Sequence, residues 1–305
     1  MIVPVLFGVT VLTFVLIRLT PGDAAQTKLA SMGIEPTEQA LEMVRERLGL
    51  NQSLPTQYAI WLTDVLRLDF GNSIVTNAPV LEELTVRLRP TVELTAISMA
   101  VVIIFSFPIG IISAMRSDGL VNRFSRLLSM LVMSIPAFCA GLLFILLFSV
   151  KLKWLPTFGY GEVRNIVLPT AALAMGMSAY YARFIRLALM EELSQDYIRA
   201  ARARGAGVVT LVFSHALKNA FVPILTSLGM SFGFLLGGAA VVERIFSWPG
   251  LGKYLIDAIL KRDYPVVQCY VLFLGLMFVL INLTVDIVCA YMNPKIRRGG
   301  KGKVL

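Results

Sequence analysis

The residues of this chain best suited to chemistry lie in one short, positively charged segment between two long apolar runs. The segment reads Asp196-Tyr197-Ile198-Arg199-Ala200-Ala201-Arg202-Ala203-Arg204-Gly205-Ala206-Gly207. Its guanidinium groups are suited to pairing with acidic groups on a partner. The segment is too charged to lie in lipid and too short to be a domain. It predicts a small helix at a membrane surface that offers a face to another protein or, alternatively, only to lipid headgroups.

Residue sets for catalysis or metal binding are absent from the sequence. No G-x-x-x-x-G-K-[ST] phosphate loop occurs, and no paired Asp, Ser/His or H-E-x-x-H set lies in the apolar runs. His215 is the only histidine. The three cysteines stand in apolar runs at no metal or disulfide spacing and are predicted to be small buried hydrophobic residues: Cys139, Cys269 and Cys289. The chain is therefore predicted not to be an enzyme, with no catalytic residues, no metal site and no cofactor of its own.

Composition places this chain among integral membrane proteins. Of its 305 residues, 57% are apolar and only 15% are charged, which excludes an ordinary soluble domain. At about 20 residues per crossing there is room for roughly six spans. Uncharged stretches that end abruptly at charges predict these spans: 2–18, 91–115, 127–150, 166–185, 221–242 and 267–291. Pro108 and Pro136 predict kinks inside the second and third spans.

Loop charge predicts the orientation. Fourteen basic and four acidic residues lie in loop 116–126, loop 183–218 and the tail, whereas the opposite side carries thirteen of each. This asymmetry predicts both termini in the cytoplasm. It also explains the net charge of +9 without a role in nucleic-acid binding. The predicted fold is an all-α polytopic membrane protein with six transmembrane helices and a helical external lobe between the first two.

Four segments follow from these boundaries. They are a first transmembrane helix at 1–19, an external lobe at 20–90, a transmembrane core at 91–292 that includes loop 191–218, and a basic tail at 293–305. Within the lobe, Pro36 and Thr37 open a helical pattern that Gly49 ends, and a second helical run extends from Gln57 to Leu68. Seventy residues with few apolar clusters predict a lobe packed on the membrane face rather than an independent core.

Three further features carry functional hypotheses. Gly229, Gly233 and Gly237 share one face of the fifth span, which predicts either close helix packing or a smooth lining of a translocation path. A polar and aromatic block follows, in which Pro-Gly-x-Gly predicts a tight turn: Glu243, Trp248, Pro249, Gly250, Asp263, Tyr264 and Pro265. Trp248 and Tyr264 suit a membrane interface. A short amphipathic helix is expected after the turn, with Leu255, Ile256, Ile259 and Leu260 apolar. Asp286 in the last span is expected to pair with an Arg or to form a polar cap, with a functional carboxylate as the alternative.

The charged segment resembles the cytoplasmic loop of permease subunits of ATP-driven importers, whose pattern is E-A-A-x-x-x-G. The matching residues are Arg199, Ala200, Ala201 and Gly205, with Arg in place of Glu, as in the peptide and nickel branch of that family. His215-Ala216-Leu217-Lys218 stands where the general pattern has I-x-L-P and is similar to the same branch. The later block, from Glu243 to Pro265, resembles the stretch E-x-I-F-x-x-P-G-L-G … R-D-Y-P-V-x-Q. This resemblance implies an outer gate with a docking surface for a binding protein, and a structural re-entrant turn is the alternative. Asn282, Asp286 and 293–297 are similar to the ending of the family.

The resemblance covers nearly the whole chain and is to permeases of bacterial ATP-binding-cassette importers of the dipeptide, oligopeptide and nickel class. Nickel permeases look closest through Leu152 to Pro156, Gly159 to Gly161 and Gln268-Cys269. Relatives usually begin with a short Arg-rich leader, and none precedes the first apolar run. The resemblance implies a second permease subunit, two cytoplasmic ATPase subunits that bind ATP, and an external solute-binding protein in a bacterial inner membrane.

The resemblance also implies roles for residues. Loop residues would couple the permease to an ATPase: Asp196, Tyr197, Arg199, Ala200, Ala201, Arg202, Arg204, Gly205 and His215. Gly205 would allow the turn that ends the helix, and the small Ala200 and Ala201 would allow close approach. Two other classes remain open from the residues, a secondary transporter driven by an ion gradient and a membrane scaffold or receptor. Nickel, dipeptide and oligopeptide cargoes are not distinguished.

Overall fold

The computed structural model describes residues 2–19, 23–115, 127 and 129–292. Three sequence predictions lie outside these residues: the exit of the first span at 20–22, the basic residues of loop 116–126 and the basic tail 293–305. Throughout the described ranges every regular element is helical, and one isolated bridge pairs Asn72 with Pro79. This agrees with the predicted all-α class.

Among the described residues, twelve helices position the candidate sites, and one further short helix, Val208–Thr210, follows the charged segment. The first five are α1 Ile2–Leu19, α2 Ala24–Ser31, α3 Glu38–Arg47, α4 Leu54–Leu66 and α5 Val80–Met115. The next are α6 Ala137–Phe144, α7 Val163–Leu193, α8 Asp196–Ala203 and α9 Leu217–Gly238. The last are α10 Ala240–Ile245, α11 Leu251–Leu260 and α12 Tyr264–Met292. Two π-helical turns, Ile145–Lys151 and Leu211–Ala216, continue α6 and lead into α9.

Three stretches of the described chain are helices long and apolar enough to cross a membrane. They are Val80–Met115, Val208–Gly237 and Tyr264–Tyr291, with mean hydropathies of 2.3, 1.7 and 2.5. They coincide with the predicted second, fifth and sixth spans. Helices α1, α6 and α7 coincide with the other three, which stay predictions as membrane crossings.

The helix boundaries differ from the predicted spans at positions where the prediction was based on charged residues or on proline. Helix α5 begins at Val80, well before Pro90, because Glu82 and Glu83 in its first turn suit the positive end of the helix dipole. It runs through Pro108 without a break. Pro136, in contrast, interrupts the predicted third span: it stands in extended conformation before Ala137, where α6 begins. Charge therefore limits immersion in lipid but does not limit helix length.

The chain divides into two compact units. The first consists of Met1–Thr91 and Pro249–Val279, and the second of Val92–Trp248 and Leu280–Leu305. In the first unit, one core cluster joins the start of α5 to α11 and α12 through Val80, Leu84, Leu251, Val266 and Tyr270. In the second, a larger cluster joins the rest of α5 to α6, α7, α8, α9 and α10.

The two helices predicted within residues 36–68 are confirmed, and both ends of the second differ from the prediction. Thr37 caps α3, where its hydroxyl accepts the amide of Ala40 at 3.3 Å, and Gly49 ends it with φ 65°. The second run begins three residues earlier than predicted, at Leu54, because Ser53 takes the extended N-cap position and Pro55 fits the first turn. It ends at Leu66 rather than Leu68. An ion pair of 2.6 Å joins Arg45 of α3 to Asp23, which caps α2.

Candidate functional site

The charged segment forms α8, a two-turn helix with a defined end. Asp196 lies in its first turn, where a carboxylate is favoured by the helix dipole. At the other end the amide of Ala206 donates to the carbonyl of Ala201 at 3.2 Å, and the amide of Gly205 donates to that of Arg202 at 2.9 Å. These two bonds make a Schellman motif, which requires the φ of +88° that Gly205 adopts. The predicted role of Gly205 in ending the helix is confirmed.

Two faces of α8 have opposite environments. Ile198 and Ala201 are 1% and 3% exposed and belong to the core of the second unit. The charged residues and Ala200 point outward and are exposed: Asp196, Arg199, Ala200, Arg202 and Arg204. The two alanines of the motif are therefore not equivalent. Ala200 is available to a partner, whereas the small size of Ala201 serves packing within this chain, contrary to the expectation that both face a partner.

Tyr197 joins α8 to the helices on either side of it. Its hydroxyl donates to the Glu192 carboxylate at the end of α7, at 2.5 Å, and accepts from the Asn219 amide of α9, at 3.0 Å. Partial burial and the bond to Glu192 raise the pKa of Tyr197 above its ordinary value. The hydroxyl therefore stays protonated at neutral pH and remains a donor.

His215 lies in the π-helical turn before α9. The turn buries Leu211, Val212 and Ala216, while His215 is half-buried. No group of three or more potential metal ligands occurs among the residues that the structure places. His215 is thus adjacent in the chain to α9, and nothing in its surroundings gives it a metal-binding role.

Gly229 permits close helix approach in α9. A Cβ built on it would lie 2.1 Å from Cγ2 of Val285 in α12, well inside van der Waals contact. Gly233 and Gly237 follow on the same face and are half-buried. The close-packing interpretation therefore holds at Gly229, and a role of the other two glycines in a path remains a prediction.

The turn after α10 is held by buried groups. Ser247 has φ 51°, and the amide of Trp248 donates to the carbonyl of Glu243 at 2.7 Å. Trp248 is 1% exposed, and its ring meets Tyr160 edge-on with centroids 4.9 Å apart. Glu243 is fully buried. Trp248 therefore lies in the core of the second unit, and its place at a membrane interface stays a prediction.

Asp263 organises a loop of the first unit. Its carboxylate is 3% exposed and accepts from the Ser73 hydroxyl at 2.5 Å, the Ile74 amide at 3.0 Å and the Val75 amide at 3.3 Å. The Lys28 ammonium donates a hydrogen bond to the carbonyl of Ile74 in the same loop, at 3.2 Å. Asp263 thus ties residues 73–75 to the start of α12.

The remaining residues of the block are distributed between surface and core. Pro249 is exposed, Gly250 is buried as the N-cap of α11, and Tyr264 and Pro265 are half-buried. The predicted helix after the turn is confirmed as α11. Its buried residues are Leu251, Gly252 and Ala258, whereas Ile259 and Leu260, expected on its apolar face, are 53% and 66% exposed.

Sequence reasoning missed two tyrosine contacts. The Tyr254 hydroxyl donates to the Glu83 carboxylate, and the Arg87 guanidinium lies 4.0 Å above the Tyr254 ring. In the second unit, the Tyr181 hydroxyl of α7 donates to the Ser227 carbonyl of α9 at 2.7 Å. The sequence shows the i,i+4 spacing of Glu83 and Arg87. It does not show that Tyr254 and Ser227, which are distant in sequence, contact Glu83 and Tyr181.

Asp286 is exposed on α12. Within the described part of the chain no arginine pairs with it, so the expected pairing is not found there. All three cysteines are free; Cys269 and Cys289 are buried and Cys139 is half-buried, as predicted.

Comparison with known families places this chain in a class. Residues 106–298 match the model of the binding-protein-dependent transport system inner membrane component, and residues 1–95 match the N-terminal model of the same kind of component. The chain belongs to this family. It is a permease subunit of an ATP-binding-cassette importer in the inner membrane, and it is not an enzyme. Family membership implies ATPase partners and a partner permease.

Particular relatives agree with this class. The chain is 44% identical over 296 residues to the glutathione transport system permease protein GsiC of Pectobacterium atrosepticum, covering 97% of this chain and 96% of that protein. It is 42% identical to the protein of the same name in Escherichia coli (strain K12), with the same coverage. An inward-facing structure of the MetNI methionine ABC transporter shares the fold, with TM-score 0.60 and 20% identity over 70% of this chain and 98% of that one. The predicted peptide and nickel class is confirmed at the level of the family.

Proposed function

We propose that this chain forms, together with a second permease subunit, the translocation path of an importer for small peptides, driven by two ATPase subunits through α8. A solute-binding protein delivers the cargo from outside. The transport cycle is alternating access: closure of the ATPase pair moves α8, and α8 moves α7 and α9.

The observation that carries the proposal is the two-sided environment of α8. Ile198 and Ala201 fix the helix to the core of the second unit, and the opposite face presents Arg199, Arg202 and Arg204 to the outside. Three guanidinium groups on a helix this short favour a partner whose groove has an acidic rim. A contact of this kind transmits force because the buried face cannot slide freely over the core.

The proposal includes the membrane topology of the chain. Six spans, cytoplasmic termini and an external lobe at 20–90 are supported by the loop-charge asymmetry and by the three long apolar helices. Cysteines introduced singly at Arg202 and at Glu46 test the orientation. In intact spheroplasts a membrane-impermeant maleimide is expected to label position 46 and not position 202, and the reverse labelling contradicts the orientation.

The outer gate and the docking surface for the solute-binding protein are assigned to the block around Pro249. Pro249 itself is exposed and can meet a partner, whereas Trp248 and Asp263 are each buried within their own unit. The buried members of the block therefore support the surface and do not form it.

The cargo is proposed to be a peptide, with glutathione tested first. The relatives named for glutathione transport support this choice, and nickel or a nickel chelate is the competing cargo from the sequence resemblance. Uptake of labelled glutathione is measured in cells that lack other glutathione importers, with excess dipeptide, oligopeptide or nickel chelate as competitor. Absent glutathione uptake together with uptake of a labelled nickel chelate would overturn the peptide assignment.

Coupling through α8 is tested by Gly205→Asp, with Gly207→Asp as the matched control. Gly205 has φ +88°, so an aspartate there strains the helix end by about 1 kcal/mol, and it adds a negative charge beside the arginines. Gly207 is extended with open space around it. We expect Gly205→Asp to abolish ATP-dependent uptake while the complex still reaches the membrane. We expect Gly207→Asp to retain most of the ATP-dependent uptake. Normal uptake by Gly205→Asp would remove the coupling role from α8.

The competing function is transport driven by an ion gradient without ATP. Membership of a binding-protein-dependent family disfavours it. In vesicles the two are separated by energy source: uptake that persists after collapse of the ion gradients and stops without ATP supports the importer.

A further inference from the structure

The bridge through Tyr197 is a polar contact that joins α8 to both neighbouring helices. The burial of Ile198 and Ala201 sets which face of α8 points inward. The connection from α7 to α8 is only two residues, Ser194 and Gln195, and the connection on the other side turns at Gly205. The hydrogen bonds of Tyr197 add a directional link to the apolar packing.

The Tyr197 hydroxyl forms hydrogen bonds with both helices that flank α8 in the chain. The short bond from its hydroxyl to Glu192 is of the charge-assisted kind, which is stronger and more directional than a neutral one. The bond from Asn219 reaches the same oxygen from α9. A single hydroxyl thus lies between the last turn of α7 and the first turn of α9, and α8 lies between these helices in the chain.

We propose that Tyr197 is a positioning residue that makes α7 and α9 move together with α8, and that its hydroxyl acts within the permease and not on the ATPase. The inference rests on the proposed coupling role of α8 and goes beyond it. A force on the exposed arginines turns or shifts α8, and the Glu192–Tyr197–Asn219 bridge passes the displacement to both spans at once. Without the hydroxyl, α8 is joined to the core by its apolar contacts alone, and the ends of the spans follow incompletely.

The test uses the complete transporter, with its partner permease and ATPases, and does not depend on the identity of the cargo. Hydrogen exchange is measured at α8, at the end of α7 (residues 190–193) and at the start of α9 (residues 217–220), with and without vanadate-trapped nucleotide. The variants are Tyr197→Phe, Glu192→Leu and the two combined. Tyr180→Phe is the matched control, because Tyr180 lies exposed on α7 with no hydroxyl partner among the described residues.

In the unaltered protein, trapping is expected to change exchange in all three segments. In Tyr197→Phe the change at α8 persists, and the change at the ends of α7 and α9 falls by about fivefold, the low end of typical coupling between sites. Glu192→Leu, which has no acceptor, gives a similar loss, and the combined variant loses no more than either alone because both remove one bridge. Tyr180→Phe behaves as the unaltered protein.

Each unexpected result of this experiment contradicts a different part of the proposal. If trapping changes nothing in the unaltered protein, the proposed coupling through α8 is wrong. If Tyr197→Phe retains the full change at α7 and α9, the coupling stands and the bridge does not carry it. If Tyr197→Phe does not assemble, Glu192→Leu decides alone. Additive losses in the combined variant overturn the shared bridge.

Discussion

The segment around α8 and the block from Glu243 to Pro265 carry the two most specific motifs of this chain, and their side chains have opposite environments. In α8 the charged residues of the motif and Ala200 are exposed, and Ile198 and Ala201 are buried. In the later block two acidic residues and the tryptophan are buried: Glu243, Trp248 and Asp263. A motif that is recognisable in sequence therefore marks a contact surface in one region and an internal scaffold in the other.

The difference shows in how each region satisfies its polar groups. In α8 the Asp196–Arg199 pair, at 3.2 Å, is exposed to solvent and of little consequence for stability. Asp263 takes three donors from one loop in a buried position, where loss of the acceptor leaves those donors unsatisfied. Substitutions in the later block are thus expected to affect stability, and those on the exposed face of α8 to affect assembly and transport.

The largest effect is expected for Trp248→Ala, which removes a buried ring from the core of the second unit. A loss of about 3–5 kcal/mol in the free energy of unfolding is typical of such a cavity. Trp154→Ala is the control, because Trp154 is 62% exposed. The measurement is the fraction of detergent-solubilised protein that stays monodisperse after heating. Equal stability of the two variants would place Trp248 on the surface and remove the contrast between the two regions.

A smaller effect is expected for Asp263→Asn, which replaces the carboxylate by an amide that directs an N–H group at the loop. The expected loss is about 2–3 kcal/mol, in the range for hydrogen bonds to charged groups. Hydrogen exchange at the Ile74 and Val75 amides should rise, while Asp69→Asn, at an exposed carboxylate with one amide donor from Gly71, should leave them protected. Unchanged protection in Asp263→Asn would mean that the loop is held without the charge.

The smallest effect on stability is expected for Arg202→Glu on the exposed face of α8. The melting temperature should stay within error, because Arg202 has no partner among the residues placed in the structure. The amount of ATPase that co-purifies should fall strongly, since the new charge would face an acidic rim. Lys261→Glu, at an exposed residue after α11, is the control for a charge reversal of equal size. Full ATPase recovery with Arg202→Glu would move the docking surface away from this face.

Much of the fold follows from local sequence. The apolar runs predict the long helices α5, α9 and α12, Thr37 and Gly49 predict the ends of α3, and Gly205 predicts the end of α8. Each of these depends on residues within one or two turns, where capping and helix propensity act. Prolines inside apolar runs are less predictable, since one of them lies within α5 and another, Pro136, stands before the start of α6.

The internal contacts of the later block could not be predicted from sequence. Asp263 meets Ser73 and Ile74 across about 190 positions of the chain, and a single sequence holds no information on such pairs. The partner of Trp248, the ring of Tyr160, is separated from it in the same way. In α8 the environment was predictable in part, because the exposed arginines and buried Ile198 alternate with the helical period, but the assignment of Ala201 depends on the core beneath it.

The π-helical turn Leu211–Ala216 has a consequence for the phase of the chain between α8 and α9. A π turn holds one residue more than an α-helical turn, so it takes up an extra residue without the rotation of about 100° that one residue adds to an α-helix. Deletion of one residue within 211–216 would let ordinary α-helical hydrogen bonds form throughout. Residues 208–210 would then keep nearly their present angle about the helix axis relative to α9. The turn thus tolerates the loss of one residue, and the chain between α8 and α9 can change its length here while α8 presents the same face.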